Sequence, residues 1–105
     1  MLVSQLINAN GNPNANQFVI SDNGYVAFQS YESRVCEITR DENLNRVVKF
    51  GCDWDYSRTT MKHLAEFLRQ NGLYELASSQ AIRKAINKGY IKDGRVKVIY
   101  DETMI

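Results

Sequence analysis

The sequence predicts an α+β domain: a four-stranded antiparallel meander covered by two helices, with a C-terminal hairpin or edge strand. Three observations lead there. Four β-rich runs are joined in pairs by Asn23-Gly24 and by the polar loop at residues 41–45. Two later segments repeat apolar residues at helical spacing, and an alternating run closes the chain around Asp93-Gly94. With 105 residues, 44% of them apolar, and a single Pro, the chain fits one domain over residues 1–105.

The first sixteen residues read as an arm. Asn occupies positions 8, 10, 12, 14 and 16, interrupted by Gly11 and Pro13, and these residue types favour turns over a strand despite the period of two. Val3, Leu6 and Ile7 offer one short helical turn that docks on the body or leaves the arm mobile.

Strands near 17–21 and 24–30 flank Asn23-Gly24, a pair suited to the positive backbone angles of a type I′ hairpin turn. A second hairpin pairs 34–40 with 46–51, which sets Arg40 opposite Arg46 and Cys36 opposite Phe50. Cys36, Ile38, Val48 and Phe50 then share one face that needs a cover. Met61, Leu64, Ala65 and Leu68 supply it, falling at i, i+3, i+4 and i+7 of a helix that Asn71-Gly72 ends. A second helix runs from a cap at Ser78 or Ser79 to Lys88, with Ala81, Ile82, Ala85 and Ile86 inward and Gly89 as its stop.

Between strand and helix lies "CDWDYSRTT", residues 52–60. Two carboxylates bracketing a Trp suggest a cation site, yet Asp53 and Asp55 alone leave most of a coordination shell to water. The reading adopted is a structural junction: Trp54 plugs the seam between sheet and helix, Asp55 or Ser57 caps the helix, and Tyr56 staples its first turn. His63 lacks an aimed nucleophile or carboxylate, Glu66 being an ordinary helix neighbour. The usual signatures of hydrolases, nucleotide binders and thiol redox enzymes are absent. No enzyme, cofactor or metal is expected.

Cys36 and Cys52 would be diagonal neighbours about 7–8 Å apart, too far for easy bridging, so free thiols are expected. The N-terminus has no export signal and no stretch long enough to span a membrane, which points to the cytoplasm.

Net charge is +1 but polarised. Residues 1–57 carry −3, residues 58–100 carry +6, and the tail carries −2. Arg83, Lys84, Lys88, Lys92, Arg95 and Lys97 form a candidate basic patch for phosphate backbones or an acidic partner. Glu32, Glu37, Asp41 and Glu42 form a candidate acidic face. Exposed basic residues also serve solubility alone, and no base-reading helix is evident.

The run "ANQFVISDNGYVAFQSY", then "WDYSRTT", then "FLRQNG" resembles a family of small uncharacterised proteins from phages and prophages of Gram-positive bacteria, in which ANQF, FQSY, WDYS-x-TT and FL recur in that order. The likeness covers roughly residues 8–70; residues 71–105 are longer and more basic than the family's ending. It implies a mobile-element origin without an assigned activity. Small phage proteins are often inhibitors of host defence, anti-CRISPR proteins among them, and this is an association rather than a mechanism. The expected function is therefore a non-enzymatic inhibitor of a host defence protein, such as a CRISPR nuclease. A nucleic-acid-binding accessory protein using the basic patch is the alternative, and a minor phage structural or assembly protein the third.

Overall fold

A computed structural model describes residues 1–105 as a seven-stranded, mostly antiparallel sheet with two helices, an α+β fold. In chain order come β1 (Leu2–Ile7), β2 (Pro13–Asp22), β3 (Tyr25–Ser30), β4 (Ser33–Arg40), β5 (Arg46–Gly51), α1 (Arg58–Gln70), α2 (Ser79–Lys88), β6 (Tyr90–Ile91) and β7 (Val96–Asp101). The strands are ordered β1-β2-β3-β4-β5-β7-β6.

Two expectations about the sheet are corrected. The arm over residues 1–16 is largely strand, since β1 pairs antiparallel with β2 from Leu2↔Ser21 to Ile7↔Pro13. Asn8, Asn10, Gly11 and Asn12 build the tip of this hairpin, while Asn14 and Asn16 lie in β2. The Asn8 carboxamide oxygen accepts from the backbone N–H groups of Asn10 and Asn12, and Gly11 takes a positive φ of 83°. The four-stranded meander is thus five strands long, and the C-terminal hairpin adds two more. In that addition β7 lies inside the sheet, parallel to β5 from Arg46↔Val96 to Gly51↔Asp101, while β6 takes the edge. A parallel pair needs a crossover, and residues 52–95 provide it, carrying both helices.

The central hairpins follow the sequence. Arg40 faces Arg46 and Cys36 faces Phe50. The Asn23-Gly24 turn is not type I′, because Gly24 has φ 66° while Asn23 stays out of the positive region. A register shift between Phe28 and Gln29 leaves Val35 as an extra residue of β4, where it is fully buried.

Strand alternation divides the sheet into two faces. The row Val19–Phe28–Cys36–Phe50–Tyr100 runs across one, and Ile20–Ala27–Glu37–Lys49–Ile99 runs across the other. Phe28 stacks on Phe67 of α1 at 5.7 Å between ring centroids, with Leu64 and Leu68 beside it in the core. Phe67 is fully buried and Met61 only partly, so the helix is rotated from the stripe read in the sequence. Asn71-Gly72 closes α1: Gly72 takes φ 76°, and the Leu73 N–H reaches back to the Leu68 carbonyl. Leu73 and Leu76 then join the core, and α2 adds Ile82 and Ala85. Ser78 caps α2 by accepting from the Ala81 N–H, and Gly89 ends it in the left-handed conformation. No helix is long and apolar enough to cross a membrane.

At the end of β5, Gly51 is wedged between backbone groups. A Cβ there would lie 2.6 Å from the carbonyl oxygens of both Arg34 and Met104. The neighbouring Cys52 N–H donates to Met104 O at 3.1 Å, so the glycine lets the C-terminal tail close over the strand end. Gly51→Ala is expected to cost about 1–3 kcal/mol through forced backbone shifts, read as a lowered urea midpoint with an unchanged m-value.

Candidate binding surfaces

The 52–60 segment joins the end of β5 to α1. Trp54 is 5% exposed, packs against Phe50 at 6.1 Å, and holds the Arg83 guanidinium 5.3 Å from its ring centroid. Arg83 also pairs with Asp55 at 3.2 Å, which fastens α2 to the junction. Ser57, in extended backbone, is the cap of α1: its hydroxyl accepts from the Thr60 N–H at 3.1 Å. Asp53 accepts from the Ser33 hydroxyl at 2.8 Å and more weakly from the Cys52 thiol at 3.7 Å. Tyr56 does not staple the helix. At 79% exposed its ring projects from the junction, because Trp54 already fills the seam.

Beside this junction lies a pocket of about 560 Å³, lined from three parts of the chain. Gln17 and Ser30 come from β2 and β3, Tyr31 and Ser33 from the next turn and strand, and Asp53, Tyr56 and the first turn of α1 complete it. Tyr31 carries a positive φ of 53°, a conformation that costs a non-glycine residue about 1–2 kcal/mol. Its backbone N–H donates to Asn16 O at 2.7 Å, which locks the turn.

Burial pushes the Cys36 thiol well above its ordinary value, and burial and then Asp53 raise Cys52. Both are free thiols. No group of three or more His, Cys, Asp or Glu side chains is placed to hold a metal ion.

The six basic residues of the candidate patch do not form one unpaired surface. Arg83 is held by Asp55, Lys92 by Glu75 at 3.7 Å and Lys97 by Asp41 at 3.6 Å. Arg95 donates to the Lys92 carbonyl. Lys84 and Lys88 make no salt bridge; both line a groove with Tyr90, and Lys88 sits 5.0 Å from that ring's centroid. The four acidic residues are also dispersed. Glu32 is in the β3–β4 turn, whereas Asp41 and Glu42 lie beyond the far end of β4, a strand of eight residues. Two backbone N–H groups, from Asn43 and Asn45, hold the Asp41 carboxyl below its usual range against the opposing effect of burial, with help from Lys97. Glu37 belongs to a cluster that sequence reading missed, in which Arg34 reaches both Tyr25 and Glu37 and the Tyr25 hydroxyl donates to Glu37. Burial, then Glu37, pushes the Tyr25 phenol up to about 12.

The two outer strands differ sharply. β6 is two residues long and flanked by Lys88 and Lys92, so it offers little edge to pair with. β1 is six residues long and uncharged, and exposes Leu2 (75%) and Val3 (60%).

Residues 1–85 match the model of a family of unknown function, DUF8033, and the chain belongs to that family. No curated protein and no solved structure matches it.

Two expectations follow from these placements. Burial lowers the His63 pKa below its ordinary 6.5, with Glu66 opposing and Lys62 adding to it. Folding therefore favours the neutral ring: the stabilisation is complete above 6.5 and is lost as pH falls toward the depressed folded value. His63→Gln should flatten this part of a stability–pH profile measured by urea unfolding. Tyr31→Gly should leave the thermal midpoint unchanged or raise stability by up to ~1 kcal/mol, since relief of the strained backbone is offset by the entropy of the unfolded glycine.

Proposed function

We propose that the protein is a non-enzymatic binding protein of phage or mobile-element origin that captures and inhibits a host defence protein, with a CRISPR nuclease as the candidate target. The observation that carries the binding reading is the open edge of β1. β1 is an edge strand with uncharged side chains; its Leu6 and Ile7 carbonyls are taken by Asn14 and Gln70, and the open part of the edge lies at its start, beside exposed Leu2 and Val3. An extended segment of a partner can add to such an edge, main-chain hydrogen bonds supplying affinity and alternate side chains supplying specificity. The contrast with β6, two residues long with Lys88 and Lys92 near its ends, marks the openness of β1 as a feature of one edge rather than of the whole sheet. The phage origin and the inhibitory role rest on the sequence resemblance.

One observation favours nucleic acid as a second reading: Lys84 and Lys88 make no salt bridge and share a groove with Tyr90, Lys88 lying over that ring, although Glu75 and Asp93 line the groove too. A backbone phosphate beside an aromatic face suits that arrangement.

Capture from a host lysate with identification by mass spectrometry, paired with a plasmid-interference assay, tests the first reading. Lys at both Leu2 and Val3 is expected to weaken capture by about tenfold or more, ~1.4 kcal/mol or above, and to restore interference, with little change in the urea midpoint. Retained capture by that variant would remove β1 from the interface. For the second reading, charge reversal at Lys84 and Lys88 is expected to abolish a salt-sensitive affinity for random duplex.

A further inference from the structure

The pocket beside the junction contains a group that the fold leaves unanswered. Gln17 is 3% exposed and lines the pocket, and its side-chain oxygen has no hydrogen-bond partner in the protein. Buried side-chain oxygens are ordinarily satisfied; this one is itself shielded from solvent, and a turn of the Gln17 carboxamide brings it to a donor supplied from the pocket. In the same lining, each oxygen of the Asp53 carboxylate takes one protein donor, Ser33 or Cys52, and keeps acceptor capacity in reserve. Ser30, Ser33 and Thr59 also line the space; the hydroxyls of Ser30 and Thr59 can donate or accept, and that of Ser33, whose proton goes to Asp53, can accept.

These groups select among ligand classes. No Lys or Arg lines the pocket, so an anion would meet the Asp53 charge without a compensating cation. A wholly apolar ligand would leave Gln17 and Asp53 desolvated and unpaired. A ligand with several hydroxyls can donate to both and accept from Ser30 and Thr59. The two tyrosines of the pocket, Tyr31 and Tyr56, have exposed rings suited to cover the flat face of a ring. The volume of about 560 Å³ falls in the range of small-molecule sites, about 300–1,000 Å³.

We infer that this pocket binds an uncharged, hydroxyl-rich sugar ring, held by hydrogen bonds to Gln17 and Asp53 and covered by Tyr31 and Tyr56. Such a ring comes free, as a pyranose, or as the ribose of a nucleoside. The inference is independent of the β1 edge and of the identity of any protein partner.

The test is a nitrogen-15 NMR titration of the full chain with glucose, N-acetylglucosamine, uridine and adenosine, and separately with inorganic phosphate and glucose 6-phosphate. Saturable shifts confined to residues around Gln17, Ser33, Asp53 and Tyr56 are expected from one class of neutral probe, sugars or nucleosides, which identifies the source. Phosphate should give none, and glucose 6-phosphate should bind more weakly than glucose if glucose is a ligand. Tyr56→Ala, an exposed position whose loss leaves the core intact, and Tyr31→Gly should each raise the Kd at least fivefold, and Gln17→Leu should abolish the shifts while the remaining spectrum stays dispersed. The inference is overturned if none of the four neutral probes gives saturable shifts in the tens-of-millimolar range, if phosphate perturbs the same residues, or if Tyr56→Ala binds like the parent chain.

Discussion

The parallel ladder between β5 and β7 is the constraint on which the rest of the molecule depends. Before it forms, β1 to β5 are a run of hairpins with one apolar face open, and the helices are attached at one end only. Pairing residues 46–51 with 96–101 closes the long excursion through residues 52–95 and brings Val96 and Val98 beside Val48 and Phe50. The entropy of closing so long a loop grows only logarithmically with its length, so six aligned residue pairs and a shared core can outweigh it. Contacts this distant in sequence are also the slowest to find, which places completion of the helical layer late in folding.

The polarised charge of the sequence takes on a different meaning in three dimensions. Asp41 with Lys97 and Asp55 with Arg83 connect the acidic first half to the basic second half, and Lys49 with Asp101 ties β5 to the end of β7. Much of the apparent separation is therefore internal complementarity across the crossover. Exposed pairs of this kind contribute about 0–1 kcal/mol each; their effect is to disfavour wrong registers more than to add stability. Arg83 goes further, since Trp54 beneath it and Asp55 beside it hold the second helix against the turn that starts the first.

What the sequence disclosed was local. Alternation fixed the register of β4 on β5, and Ser57, Gly72, Ser78 and Gly89 set the helix ends, because each depends on residues a few positions apart. β1 is hidden by the asparagines that follow it, whose turn preference extends to the whole arm although only Asn8, Asn10 and Asn12 form the tip and Asn14 and Asn16 lie in β2. The place of β7 was hidden because a strand's own pattern does not name a parallel partner more than forty positions away. The full burial of Phe67 depends on Phe28, and the exposure of Tyr56 on Trp54 having taken the seam. The pocket is the extreme case. Its residues come from positions 17, 30–35 and 53–60, each stretch ordinary alone, and only the orphaned oxygen of Gln17 sets their meeting apart from a surface dent.

The unlike outer strands impose a rule of assembly. A sheet that could be extended on both sides would join its neighbours without limit, each addition exposing the next. Here one side is stopped by a two-residue strand bounded by lysines, and the other is open. A second copy turned to face the first across that side would end the series, because each copy's far edge is the short one.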